Sequence, residues 1–163
     1  MQQRKPTPVG YILQMAATKA LHIEKLSVRA DRIAAAVLVD QAWHYTCPEL
    51  AKLVLKERPH LAFHACVNHA GSTFAAVIDH TPLPHLLEHM VVDILAHETP
   101  FEDEALQTTF VGTSEWTDRT LGAALVEVSY TDDLVALAAF KQAAERINEL
   151  CSSLAQGKSS PLS

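Results

Sequence analysis

Basic clusters, long apolar runs and paired cysteines are all missing from this 163-residue chain. The 13 Lys and Arg are outnumbered by 19 Asp and Glu, and the only adjacent basic pair near the start is Arg4-Lys5. A nucleic-acid partner needs a basic face against the phosphates, so none is expected. No wholly apolar run exceeds the seven residues of "IAAAVLV", whereas a membrane helix needs about 20. No membrane partner is expected either. The opening "MQQRKPTPVG" lacks the apolar core and small-residue cleavage site of a signal peptide. Cys47, Cys66 and Cys151 are an odd set without a C-x-x-C pair. They read as reduced thiols of a cytoplasmic protein, not as a disulfide framework. Neither an internal repeat nor a low-complexity block interrupts the chain.

What remains is an ordinary globular composition, 48% hydrophobic and 20% charged, long enough for one domain with its own core. Polar, proline-bearing ends predict flexible tails over 1–8 and 157–163 around a single domain at 9–156. "ADRIAAAVLVDQAW" fits a helix or a strand, and periodicity does not separate the two. In "TCPELAKLVLKERPHL", Thr46 and Glu49 have the capping-box spacing and predict a helix that Pro59 ends or kinks. "STFAAVID" reads as a short strand. "TPLPHLLEHMVVDILAHE" has prolines where a first helical turn tolerates them. Its Leu86, Met90 and Ile94 recur at i, i+4, with Leu87, Val91 and Leu95 beside them. "LQTTFVGTSEW" and "GAALVEVSYT" alternate around the polar turn "TDRTL" and predict a hairpin. "DDLVALAAFKQAAERINELCSSLAQ" predicts a long closing helix with acidic residues at its positive end. The expected class is α+β: one domain, helices packed on a small, mainly antiparallel sheet.

Histidine is the over-represented chemistry. Six of the nine (His60, His64, His69, His80, His85, His89) fall within thirty residues. His85-x-x-Glu88-His89 puts two imidazoles four apart on one helical face, where both can reach one metal ion. Glu88 flanks that point as the catalytic base, the arrangement of the inverted zincin motif. With 9 His in the chain, chance supplies roughly 0.03 such pentads. The bland alternative is a core helix whose polar side meets solvent. Asp93, four after His89, fits either account, as a solvated residue or as a partner that orients an imidazole.

A catalytic zinc needs a third protein ligand. Glu115, at the end of "TFVGTSEW", is the preferred candidate, with Glu127 in "LVEVSY" as the alternative. Both lie on expected strands, and which sheet face meets the helices is open. His64-Ala-Cys66 could add an imidazole and a thiolate, although a buried cysteine is more often simply packed. His64 or His69 could donate a hydrogen bond to an oxyanion. A thiol enzyme at Cys66 is a weaker third reading, without a supporting loop signature.

Several ordered segments resemble the N-terminal domain of cyanophycin synthetase. These are an L-x-x-H-x-C segment on Leu61, His64 and Cys66, and the H-x-x-E-H helix on His85, Glu88 and His89. A T-x-E turn follows on Thr113 and Glu115, then a V-x-V-x-Y strand on Val126, Val128 and Tyr130. The match spans roughly 47–150. The "HLLEHM" piece alone is also similar to the active helix of pitrilysin-type metallopeptidases. The resemblance implies an α+β domain with a metal-dependent site that cuts peptides or an Asp–Arg polymer. It departs where "STFAAVIDHTPLP" replaces a glycine-rich loop and where Ser114 replaces a basic residue.

Two functions follow from the sequence. The first is a metal-dependent amide hydrolase with zinc on His85, His89 and Glu115, Glu88 as base and His64 as a catalytic hydrogen-bond donor. The second is a stand-alone binding or assembly module of the same fold. Oligomeric state is open in both.

Overall fold

Alternating small and β-branched residues build a sheet whose register decides which side chains reach the helices. In the computed structural model, which describes residues 18–98 and 109–158, four strands form one antiparallel sheet in the order β1-β2-β4-β3. They are β1 (Leu21–Val28), β2 (Arg32–Val39), β3 (Gly112–Asp118) and β4 (Ala123–Ser129). The ambiguous "IAAAVLV" is thus strand. Pairing it between two neighbours satisfies its backbone, and its alanines let a helix approach closely. Ile33 faces Val128, Ala35 faces Val126 and Val37 faces Ala124, and all six are buried. These residues form the inner face of the sheet.

Three helices complete the element order: α1 (Pro48–Glu57), α2 (Leu83–Glu98) and α3 (Asp133–Lys158). Helices α2 and α3 touch each other, and both touch the sheet. Leu86, Leu87, Met90, Val91, Ile94 and Leu95 of α2 are all buried, as their spacing predicts. From α3, Phe140, Ala143 and Ile147 join the same core. The architecture is a single α+β domain, with the helices layered on the inner sheet face. Among the described residues, no helix is long and apolar enough to cross a membrane.

Three local expectations are corrected. Thr46 does not cap α1, whose N-cap is Cys47 without a side-chain hydrogen bond. The Thr46 hydroxyl instead donates to the Ile78 carbonyl at 2.7 Å and accepts from the Thr81 amide at 2.9 Å. That pair ties the start of α1 to the entrance of α2. "STFAAVID" is not a strand: Thr73 makes one bridge to Ala65, and the chain then turns through a short 3-10 segment, Phe74–Ala76. The turn drives Phe74 wholly into the core, which outweighs its strand preference. Helix α3 continues through Gly157 to Lys158, past the expected end of the domain at 156. The expected N-terminal tail at 1–8 lies outside the described residues, as does the stretch after 158.

Candidate metal centre

Helix α2 is buried almost all round. Its polar residues Glu88, His89 and Asp93 are only 8%, 5% and 2% exposed. A merely solvated polar face is therefore ruled out, and each group must find partners inside the protein. The prolines at the start of α2 and the apolar stripe fix its rotation. His85 and His89 then aim along one side, toward the segment that carries His64 and Cys66.

That segment is irregular but tethered. Asn68 accepts from the amides of Ala70 and Gly71 and donates to the carbonyls of Cys66 and Thr73. With the Ala65–Thr73 bridge, this holds Cys66 over the first turn of α2. Cys66 Sγ stands 3.4 Å from His85 Nε2, and His85 Nε2 stands 3.1 Å from His89 Nε2. One donor atom from each of Cys66, His85 and His89 lies within 4.8 Å of the others, and the three could hold a metal ion. Phe74 stacks on His89 with ring centroids 4.0 Å apart and meets His85 edge-on. An apolar ring thus restricts both imidazoles from below.

The outer nitrogens are also engaged. His85 Nδ1 lies 2.8 Å from the Thr81 hydroxyl, and His89 Nδ1 lies 3.2 Å from His64 Nδ1. His64 Nε2 lies 3.4 Å from Asp93 Oδ1, while Arg58 donates to Asp93 Oδ2 at 2.8 Å. Burial pushes the pKa of His85 down. Burial, helped by the neighbouring imidazoles of His85 and His64, pushes His89 down to about 3. A neutral imidazole is the form that ligates metal. Burial would raise the Asp93 carboxyl, but hydrogen bonds from His64 and Arg58 outweigh it and hold that group below its ordinary range.

Glu88 lies beside the cluster without belonging to it. Its Oε2 accepts from the Ser114 hydroxyl at 2.7 Å. Burial pushes its carboxyl up, and the Ser114 bond opposes this only in part. Glu88, Cys66, His85 and His89 all border a cleft of about 860 Å³ between α2 and β3. Phe110, Val111 and Trp116 form much of its apolar wall.

The site therefore brings together His64, Cys66, His85, Glu88 and His89 but not Glu115. Sheet register explains the exception. Gly112, Ser114 and Trp116 pair with the buried Val128, Val126 and Ala124, whereas Glu115 pairs with Leu125. Glu115 is thus exposed on the outer face, at the rim of the cleft. Glu127 shares that outer face and pairs with Arg29 at 2.8 Å. Cys66 stands where a carboxylate was expected. Its proximity to His64 hinted at this, but no spacing rule brings an irregular segment onto α2. His64, expected as an oxyanion donor, borders the cleft, with Nδ1 3.2 Å from His89 Nδ1 and Nε2 3.4 Å from Asp93 Oδ1. His69 is exposed. Comparisons with protein-family models, curated proteins and solved structures find no match.

Proposed function

We propose that the protein is a zinc-dependent amide or peptide hydrolase, with zinc held by Cys66, His85 and His89. The convergence of these three donors beside a buried glutamate, in one cleft, carries this reading. In a tetrahedral zinc centre, with bonds of about 2.0–2.3 Å, neighbouring donor atoms are about 3.3–3.6 Å apart. The observed 3.4 and 3.1 Å are close to this, and the three donor atoms all lie within 4.8 Å of one another, so Cys66 and His89 would draw together on binding. Three protein ligands leave the fourth position for chemistry, the pattern of catalytic sites. Zinc, if held there by Cys66, His85 and His89, would supply Lewis acidity toward an amide carbonyl.

The chain's own groups supply the rest. Glu88, with its proton affinity raised by burial, takes a proton from the attacking water and returns it to the leaving amine. Ser114 holds the carboxylate against β3 by its 2.7 Å bond. Phe110 and Trp116 give the cleft an apolar wall against which a substrate side chain can pack. The resemblance to the cyanophycin synthetase N-terminal domain supports a peptide or Asp–Arg polymer as substrate class, and a cytoplasmic location agrees with the unpaired thiols.

Elemental analysis of the purified protein tests the site. Wild type should carry about one zinc per chain, and Cys66→Ser, His85→Ala and His89→Ala should lose it. Glu115→Gln should keep it. Glu88→Gln should keep the metal while losing hydrolysis of a peptide mixture and of the Asp–Arg polymer. A metal loss in Glu88→Gln as deep as in His85→Ala would make Glu88 a ligand. Wild type without metal after zinc loading would end the proposal.

A further inference from the structure

Asp93, His64 and His89 form a chain of contacts with one direction. Asp93 Oδ1 is buried and has no hydrogen-bond partner of ordinary geometry among the described residues, and His64 Nε2 stands 3.4 Å from it. Because a carboxylate only accepts, this oxygen calls for the proton on that nitrogen. In a neutral imidazole the other nitrogen is then an acceptor. That nitrogen, Nδ1, lies 3.2 Å from His89 Nδ1. Two lone pairs cannot face each other there, so His89 carries its proton on Nδ1. Its Nε2 is left with a bare lone pair, and this is the atom directed at His85 Nε2 and the metal position.

We infer that His64 and Asp93 are positioning residues that lock His89 in the Nδ1–H tautomer and so keep its Nε2 ready for metal. The inference rests on the metal centre proposed above but not on its catalytic activity. Arg58 has a defined part in the lock. Its bond to Asp93 Oδ2 at 2.8 Å holds the carboxylate in place, with Oδ1 turned toward His64. His85 is the contrast: its Nδ1 meets the Thr81 hydroxyl, which can rotate to donate or to accept. One ligand is fixed by a carboxylate, and the other can move its proton when metal arrives. Imidazole ligands commonly hold their tautomer through an outer hydrogen bond; here that bond runs through a second histidine.

The test uses the whole protein, ¹⁵N-labelled and stripped of metal, with long-range ¹H–¹⁵N correlations reading each histidine. Wild type should show His89 as the Nδ1–H tautomer and His64 as neutral Nε2–H. His64→Leu should move His89 toward a mixture of tautomers and weaken zinc binding about 10–100-fold. His64→Asn keeps an acceptor near the Nδ1 position and should restore most of both. Cobalt-loaded His64→Leu should retain the wild-type ligand-field spectrum. His89 as Nε2–H in wild type, or His64 protonated on both nitrogens, would overturn the lock even if His64→Leu fails to fold. So would unchanged zinc affinity in a folded His64→Leu protein, or a cobalt spectrum showing one ligand fewer. If the wild-type tautomer is as stated but hydrolysis is absent, the hydrolase reading fails and the lock stands.

Discussion

Gly112 lies so close to Glu88 that a Cβ at position 112 would stand 2.5 Å from Glu88 Cγ and 2.9 Å from its Oε1. Strand β3 can therefore hold the buried carboxyl against its backbone only because position 112 has no side chain. The contact involves Cγ as well as the carboxylate end, and Ser114 pins that end, so the side chain has little room to retreat. Gly112→Ala should displace Glu88 and destabilise the fold by about 1–3 kcal/mol, as overpacking does. Hydrolysis should fall more than zinc content. Equal losses of metal and activity would mean that position 112 supports the whole cleft and not Glu88 in particular.

Glu88 should also impose a stability cost. Burial raises its pKa above the ordinary 4.5, so the folded state holds the proton more tightly than the unfolded chain. By linkage, its contribution is most favourable below pH 4.5 and is lost as pH rises through the folded value. Glu88→Gln removes that loss and keeps an acceptor for Ser114. The metal-free variant should be more stable than wild type at pH 8, with the advantage shrinking toward pH 4, measured by urea unfolding. A variant less stable at both pH values would show that the ionised carboxylate has a stabilising partner.

Much of this could be read from residue order, and the failures share a cause. The apolar stripe of α2 and the alternation of β3 and β4 are local patterns, so spacing revealed them. The pentad of His85, Glu88 and His89 is local too. Glu115 stands at the cleft rim outside the Cys66–His85–His89 cluster, because alternation separates two faces without saying which one meets helices. That choice was settled by Ile33, Ala35 and Val37 of β2, from a segment whose own state periodicity left open. Cys66 escaped because an irregular tether of Asn68 hydrogen bonds brings it to α2, and such a tether has no period. "STFAAVID" departs from a strand where Phe74 turns into the core and stacks on His89, a contact between residues too far apart in sequence for a local pattern to signal.

The Arg58–Asp93 pair should matter for stability as well as for His89. Asp93 is 2% exposed and bonds Arg58 at 2.8 Å. Asp93→Leu leaves the guanidinium without its carboxylate and should cost about 3 kcal/mol, the lower end for a broken buried pair. The pH dependence has the opposite sign to that of Glu88. With the folded pKa held below the ordinary 3.8, stabilisation is present above that value and is lost as pH falls through the folded one. The gap between wild type and variant should be widest at neutral pH and narrow toward pH 2. A gap independent of pH would assign the cost to packing.

Gly122, in the β3–β4 turn, has φ of +74°, and a Cβ there would stand 2.2 Å from the Val39 carbonyl oxygen. That carbonyl is backbone at the end of β2, and the amide of Val39 already donates to the Gly122 carbonyl at 2.9 Å. Neither strand can shift without breaking this link. The left-handed backbone alone costs a side-chain-bearing residue about 1–2 kcal/mol, so Gly122→Ala should lose at least about 2 kcal/mol. Gly157→Ala is the control, because nothing lies within 4 Å of its added Cβ and helix propensity gains at most about 1 kcal/mol. Denaturant midpoints should therefore move in opposite directions for the two glycines. Because the turn places β3 in register, the Gly122→Ala protein should also lose the Ser114–Glu88 contact and hydrolytic activity before it loses zinc. Equal midpoints for the two variants would mean that the β3–β4 turn tolerates a different backbone, and that the register of β3 is held from the side of α2.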